Sequence, residues 1–305
     1  MHESREIENQ ASSRKTILVL GATGMLGHML VRVLSQTHSV IGTISTPYGE
    51  TKKIDRLLPR SQCIELFDVA DFSRVDSAIR QLRPDVVLNC VGLIKQKLNQ
   101  FRLLDAIVIN SVLPHQLAEL CTAIGIRLIH FSTDCVFTCT PGMKRLVDTP
   151  DAVDVYGTTK RLGEVDYGTS LTLRTSFIGR QITGDEELVE WAISQRGQTI
   201  SGYQNAMYTG LTTRGLSDVV AKVIDQCPDL IGLFQVASTP ISKFDLLSEL
   251  NVRLHLDITI NPNTSFKCDR TLDGSEFSKV TDIQVPPWES MLGELCEDQA
   301  FYVQS

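Results

Sequence analysis

The sequence predicts an α/β protein built on a doubly wound parallel sheet, with a smaller C-terminal lobe that binds substrate. Three observations carry that expectation. Short apolar, β-branched runs alternate with stretches whose apolar residues recur at three- and four-residue steps. A glycine-rich turn, Gly21-Ala-Thr-Gly24-Met-Leu-Gly27, follows the first of those runs directly. After about Arg180 the alternation loosens, marking a second unit of different construction. At 305 residues the chain also exceeds the usual size of one compact domain.

The strand candidates are Ile17 to Leu20, Val40 to Thr43, Cys63 to Leu66, Val86 to Cys90, Leu128 to Ser132 and Leu171 to Arg174. Strands of a parallel sheet meet helices on both faces, so unbroken apolar runs are expected of them in place of alternation. Helices are predicted at Met25 to Leu34, Phe72 to Leu82, Asn110 to Ile124 and Lys160 to Tyr167. Residues 1–14 read as a solvated tail, 15–180 as the first domain and 181–305 as the lobe, with 211–240 expected to return to the first domain. Within that second half the pattern predicts a helix at Glu186 to Gln195, a Gly/Tyr/Asn-rich loop at Gly202 to Gly210 and a helix at Thr213 to Cys227. A strand at Leu233 to Ala237 and a helix at Ser242 to His255 follow, and a last helix starts at Pro286-Pro287-Trp288, since Pro suits a first turn.

Hydrophobic residues at 42% and charged residues at 21% are ordinary for a globular protein. A net charge of -7 provides no field that would draw nucleic acid or an anionic membrane. No uninterrupted apolar run approaches the roughly 20 residues of a membrane span, and the N-terminus has no signal-like stretch, so a cytoplasmic protein is expected. The eight cysteines include no CxxC pair and no histidine at metal-ligand spacing. Buried free thiols are therefore expected, with neither a metal site nor a disulfide framework.

The glycine turn sits where a strand passes into a helix, and there the chemistry is specific. Gly is needed where the backbone bends, where it approaches a pyrophosphate and where helix packs on strand, while N–H groups of the first helical turn hold the anion. Gly21, Thr23, Gly24, Met25, Leu26 and Gly27 are thus the candidate dinucleotide-binding residues. At the tip of the second strand, around Ser45, no Asp or Glu is available for a ribose 2′-hydroxyl, and Lys52, Lys53 and Arg56 follow. NADP(H) is accordingly favoured over NAD(H).

Tyr156 and Lys160 form a YxxxK pair, and residues four apart share a helix face. A phenol with an ordinary pKa near 10 needs a neighbouring ammonium to lower it before it can exchange protons at neutral pH. Thr133, with Ser132 beside it, supplies hydroxyls at the end of the fifth strand, the carboxyl edge where ligands bind in such sheets. Arg174 reads as a tie between a strand end and a carboxylate, and Asn205 and Thr209 as candidate substrate contacts.

The GxxGxxG spacing resembles the short-chain dehydrogenase/reductase superfamily. The segments Phe131 to Phe137, Tyr156 to Glu164 and Leu173 to Ser176 are similar to dTDP-4-dehydrorhamnose reductases of its extended, sugar-nucleotide-modifying branch, over roughly Lys15 to Gly179. The resemblance implies a Rossmann-type domain and NADPH-dependent reduction of the 4-keto group of a nucleotide-linked 6-deoxyhexose, feeding surface polysaccharide or a glycosylated product. It implies Thr133, Tyr156 and Lys160 as the catalytic set, with Lys160 also on the nicotinamide ribose and Asp134 and Cys135 facing the sugar. It further implies Asp68, with Val69, at the adenine, and Cys90, Val91 and Gly92 beside the cofactor ribose; a plain helix N-cap at Asp68 or Asp71 is the alternative. Cys135 stands where those reductases usually have Tyr, Thr138-Cys139 where they have Asp-Gly, and Phe177 where they have Trp.

Two other functions share these motifs: an epimerase that keeps its NAD tightly bound, and a non-catalytic subunit like the regulatory partner of methionine adenosyltransferase. The sequence offers no carboxylate cluster for magnesium and leaves a homodimer open.

Overall fold

The computed structural model describes residues 14–50, 52–65, 67–94, 101–182, 184 and 187–303. The tail before Arg14, the end of the third strand candidate at Leu66 and the start of the helix predicted from Glu186 lie outside them. In chain order the strands are β1 (Thr16–Leu20), β2 (Ser39–Thr43), β3 (Cys63–Ile64), β4 (Val86–Asn89), β5 (Arg127–Thr133), β6 (Ser170–Thr175), β7 (Phe177–Ile178), β8 (Thr199–Tyr208), β9 (Leu211–Thr212), β10 (Gly232–Gln235), β11 (Ile241–Ser242) and β12 (Thr259–Arg270). The helices are α1 (Met25–Leu34), α2 (Lys52–Leu57), α3 (Phe72–Leu82), α4 (Leu103–Ile124), α5 (Val155–Leu162), α6 (Leu188–Ser194), α7 (Thr213–Gln226), α8 (Lys243–Arg253), α9 (Ser275–Thr281), α10 (Trp288–Glu297) and α11 (Gln299–Val303).

Seven strands form the central sheet, in the order β10-β6-β5-β4-β1-β2-β3, and each pairing is parallel. The order reverses between β1 and β4, so the crevice for a ligand opens at their carboxyl ends. β1 explains why its residues are all apolar. Ile17 and Val19 enter the core on one face of the sheet and Leu18 and Leu20 the core on the other, because successive side chains of a strand point to opposite faces. The first core holds Leu30 of α1 with Val220 and Val223 of α7, and the second holds Val75 and Ile79 of α3 with Leu113 and Leu117 of α4.

By length and composition α4, with a mean hydropathy of 1.3, is apolar enough to cross a membrane, an exception to the expectation that no such segment exists. Half of that apolar window is buried inside the protein, and Leu113, Leu117, Leu120 and Cys121 pack under the sheet, so its hydropathy is that of a core helix.

β8 lies between β11, antiparallel, and β12, parallel, with α8 packed on β8 and β12. Two expectations are corrected here. Residues 202–208, read as loop, belong to β8, and the 12-residue β12 was not foreseen at all. Its Asn261-Pro262-Asn263-Thr264-Ser265 run has turn chemistry, and the strand accommodates it through a register shift between Asn263 and Lys267. β10 leaves the lobe and adds to the central sheet beside β6. The expectation of eight free thiols is corrected as well: Cys139 and Cys268 form a disulfide with Cα atoms 4.3 Å apart, leaving six cysteines free. These partners are 129 residues apart, so no local spacing announces them.

Candidate active site

Gly21 turns the chain at φ +82°, a left-handed conformation that favours glycine. A Cβ on Gly27 would lie 2.1 Å from the Gly21 carbonyl oxygen, so α1 closes onto the turn only because that side chain is missing. No side chain caps α1, which leaves its N-terminus suited to an anion. A cavity of about 510 Å³ starts at Thr23, Gly24, Met25 and Leu26, passes Cys90, Val91 and Gly92, and ends at Thr133, Asp134, Cys135, Tyr156 and Lys160. Gly21 and Gly27 shape the turn without lining this space. Asn89 fixes the segment beside it, accepting from Val91 N (3.2 Å) while its amide meets His130 Nδ1 at 3.1 Å.

Ser45 is exposed just beyond β2, and neither it, Asp68 nor Val69 lines the cavity. Asp68 accepts from Ala70 N in a local turn, and Asp71 is the N-cap of α3, accepting from Ser73 N. Of the three basic residues read as signs of NADP, the side chains of Lys52 and Lys53 lie outside the described residues. The third, Arg56, stacks over the Phe301 ring at 5.3 Å.

Asp154 caps α5 by accepting from Gly157 N, and the helix then presents Tyr156 and Lys160 one turn apart. Gly157 is what lets α5 press against the loop after β5, since a Cβ there would stand 2.2 Å from the Cys135 carbonyl oxygen. Lys160 is buried and donates to Phe131 O at 2.7 Å. Burial lowers its ammonium to a pKa of about 8, partly opposed by the negative charge of Glu164. Burial also pushes the Tyr156 phenol above its ordinary value, more than its hydrogen bond with Thr133 pulls it down. The expectation of a lowered phenol is therefore corrected: desolvation dominates, the charges of Asp134 and Glu187 act in the same direction, and Tyr156 stays protonated at neutral pH, ready to act as an acid. Thr133 Oγ1 accepts from Cys135 N at 3.1 Å and donates to the Asp134 carboxylate at 3.3 Å. The Asp134 carboxyl is raised by burial, and the Cys135 thiol is raised by burial to about 12, so the thiol is uncharged.

Ser132 lines the same wall, and its hydroxyl donates to Glu164 at 2.6 Å. Arg174 holds Glu164 through two bonds of 2.9 and 2.8 Å, the carboxylate partner the sequence suggested. Asn205 and Thr209 fall outside the cavity. Asn205 is half-buried and donates to Thr264 O, while Thr209 is buried and accepts from Leu272 N at 2.9 Å. Sequence reasoning missed Gln181, Glu187 and Arg270, which close the cavity from the lobe side. Arg270 could not have been found, because it arrives on β12. Among the described residues no group of His, Cys, Asp or Glu could hold a metal ion.

A glycine turn at the switch point of a doubly wound sheet, with Thr133, Tyr156 and Lys160 at its carboxyl edge, defines a Rossmann-type α/β reductase fold. The sequence model of the family described as RmlD substrate binding domain matches residues 15–300, and the chain belongs to that family. A probable low-salt glycan biosynthesis reductase of Haloferax volcanii is 29% identical over 231 residues, covering 72% of this chain and 73% of its own. A dTDP-4-dehydrorhamnose reductase of Streptomyces griseus is 31% identical over 148 residues, which cover 48% of this chain and only 43% of that enzyme. In three dimensions the chain is similar to a dTDP-4-dehydrorhamnose reductase from Bacillus anthracis solved with NADP, at a TM-score of 0.75 and 20% identity, covering 93% of this chain and 99% of that one. It is similar in fold to the Bordetella bronchiseptica enzyme WbmG solved with NAD and UDP, at a TM-score of 0.76 and 16% identity over 95% of this chain and 97% of that one.

Proposed function

We propose that the protein reduces a keto group, at C4, of a nucleotide-linked deoxysugar with a nicotinamide dinucleotide as hydride donor, NADPH favoured over NADH. The observation that carries this reading is one continuous cavity joining the glycine turn to Thr133, Tyr156 and Lys160. The residues present fit the cofactor: an uncapped helix N-terminus behind a turn that a Cβ on Gly27 would fill, and a lysine one helical turn from the acid. Thr23, Gly24, Met25 and Leu26 hold the pyrophosphate, Cys90, Val91 and Gly92 flank the ribose, and Lys160 reaches the nicotinamide ribose. When bound, the dinucleotide supplies the hydride. Thr133 holds the carbonyl oxygen by turning its hydroxyl from Asp134 to donate to it, and Tyr156 gives that oxygen a proton. Burial favours this direction, because a phenol held above its ordinary pKa keeps its proton until a substrate oxygen takes it. The glycan biosynthesis reductase among the relatives supports a polysaccharide setting for the product.

The test is NADPH oxidation across a panel of nucleotide-linked 4-keto-6-deoxysugars, with NADH in parallel. Turnover that requires Tyr156 is the expected result. Purified protein carrying stoichiometric NAD and consuming no free NADPH would replace this reading with an epimerase. Cofactor binding with no turnover of any sugar would replace it with a regulatory subunit, a class represented by methionine adenosyltransferase 2 subunit beta of Xenopus laevis, 28% identical over 48% of this chain and 41% of its own.

A further inference from the structure

We propose that Arg270 is the residue that reads the sugar: its guanidinium donates to the C3 hydroxyl beside the reacting carbonyl, so the cavity selects keto-sugars hydroxylated there over their 3-deoxy counterparts. The inference rests on the nucleotide-sugar reading of the cavity and adds the specificity element to it.

Arg270 is the last residue of β12 and lines the cavity from the lobe side. One terminal nitrogen stands 2.8 Å from Cys135 Sγ, and Cys135 lies two residues beyond Thr133. The guanidinium is therefore beside the reacting centre, far along the cavity from the glycine turn. A guanidinium is a planar fork of five N–H donors that seeks oxygen acceptors. Here its one hydrogen-bond partner among the described residues is an uncharged thiol, a weak acceptor. Its Nε is buried with no acceptor, and among the described residues no carboxylate comes within ion-pair distance. A buried donor without a partner costs the free protein stability, and an oxygen from a ligand removes that cost.

The charge around the fork decides what kind of oxygen fits. Asp134, Glu187 and Lys243 interact electrostatically in this corner, and Lys243 also stacks over the Tyr208 ring at 4.1 Å. Two carboxylates against two cations leave little net positive charge for a further anion, so a hydroxyl suits the place better than a carboxylate. On a 6-deoxyhexose reacting at C4, the adjacent carbon that carries a hydroxyl is C3, since C5 carries the methyl group. The fork is also held in position. Cys268, on the same face of β12, is bonded to Cys139, and Asp269 accepts from Gly142 N at 2.8 Å.

Calorimetric titration of the NADPH-loaded protein with dTDP, a dTDP-6-deoxyhexose and its 3-deoxy counterpart tests this without turnover, with UDP forms in parallel. kcat and KM are then measured for the corresponding 4-keto sugars. The wild type is expected to prefer the hydroxylated sugar by about 10- to 100-fold in affinity and in KM, the scale of a hydrogen bond to a charged donor. Arg270→Met is expected to abolish that preference while leaving affinity for dTDP and UDP unchanged, and Arg270→Lys to restore part of it. Equal affinity of the wild type for both sugars, or equal weakening of nucleotide and both sugars by Arg270→Met, overturns the proposal. If the wild type reduces no keto-sugar, the reductase reading falls alone, because the calorimetric comparison still decides for or against Arg270.

Discussion

The two ends of the cavity are built in opposite ways. At the cofactor end most contributing residues come from a strand and the turn that follows it, β1 into Thr23 to Leu26, β4 into Cys90 to Gly92 and β5 into Thr133 to Cys135, with Tyr156 and Lys160 added from one turn of α5. At the lobe end the wall comes from Gln181 and Glu187, joined by a 3.0 Å bond from Glu187 N to the Gln181 side chain, and from Arg270, which the pairing of β12 with β8 brings there; the three share no motif. Chemistry written in local turns is fixed by a few residues each. A wall assembled by long-range pairing can change by one side chain while the local turns at the other end stay as they are.

The largest expected effect falls at the shared boundary of the two ends. Tyr156→Phe should lower kcat by about 10²- to 10⁴-fold, the range for loss of a general acid, with NADPH affinity retained in a fluorescence titration. Near-normal turnover would remove the phenol as proton donor and break the division of labour. Next, Cys139→Ser should cost about 2–5 kcal/mol in a denaturant titration, because the disulfide closes a 129-residue span between the β5 loop and β12. Reduced wild type should match the variant, and thiol titration of denatured protein should count six groups before reduction and eight after it.

A smaller loss is expected on the lobe side at Thr209→Val, which leaves the Leu272 N–H buried without its acceptor: about 1–3 kcal/mol of stability, with KM for the sugar unchanged. A raised KM would instead put Thr209 on the substrate. The smallest effect is a shift of a pH profile. Lys160 is charged below a pKa of about 8 and neutral above it, so activity that depends on its ammonium should fall as pH rises through that value. Glu164 favours the charged form, against burial and beside the Cys90 thiol and His130. Glu164→Gln should therefore move the basic limb to lower pH, by about half a unit to one unit. A limb that stays in place would show that Glu164 acts only through Arg174 and Ser132.

What the sequence made legible follows the same division. β1, α1 and the glycine turn declare themselves, because both faces of β1 are buried and the spacing of Gly21, Gly24 and Gly27 answers a steric demand within seven residues. Tyr156 and Lys160 are readable for a similar reason, their pairing being one helical turn. β12 is hidden, since it is largely exposed and carries Pro262 between two asparagines, and with it Arg270 and the Cys268 bond disappear from view. Ser132 and Thr209 illustrate a different limit. A hydroxyl at a strand end can serve a ligand or a neighbouring protein group equally well, and only the structure shows that Ser132 bonds Glu164 at the cavity wall and that Thr209 bonds Leu272 N outside it.

The bulge in β12 has an evolutionary consequence. Between Asn263 and Lys267 the strand's pairing with β8 is irregular, whereas from Lys267 to Arg270 it runs residue for residue. Side chains of a strand alternate in facing, so a deletion of one residue after Lys267 would turn the guanidinium out of the cavity. The same deletion inside the irregular stretch can be absorbed there. Lengths in this lobe are thus free to drift at one point and held at another only a few residues away.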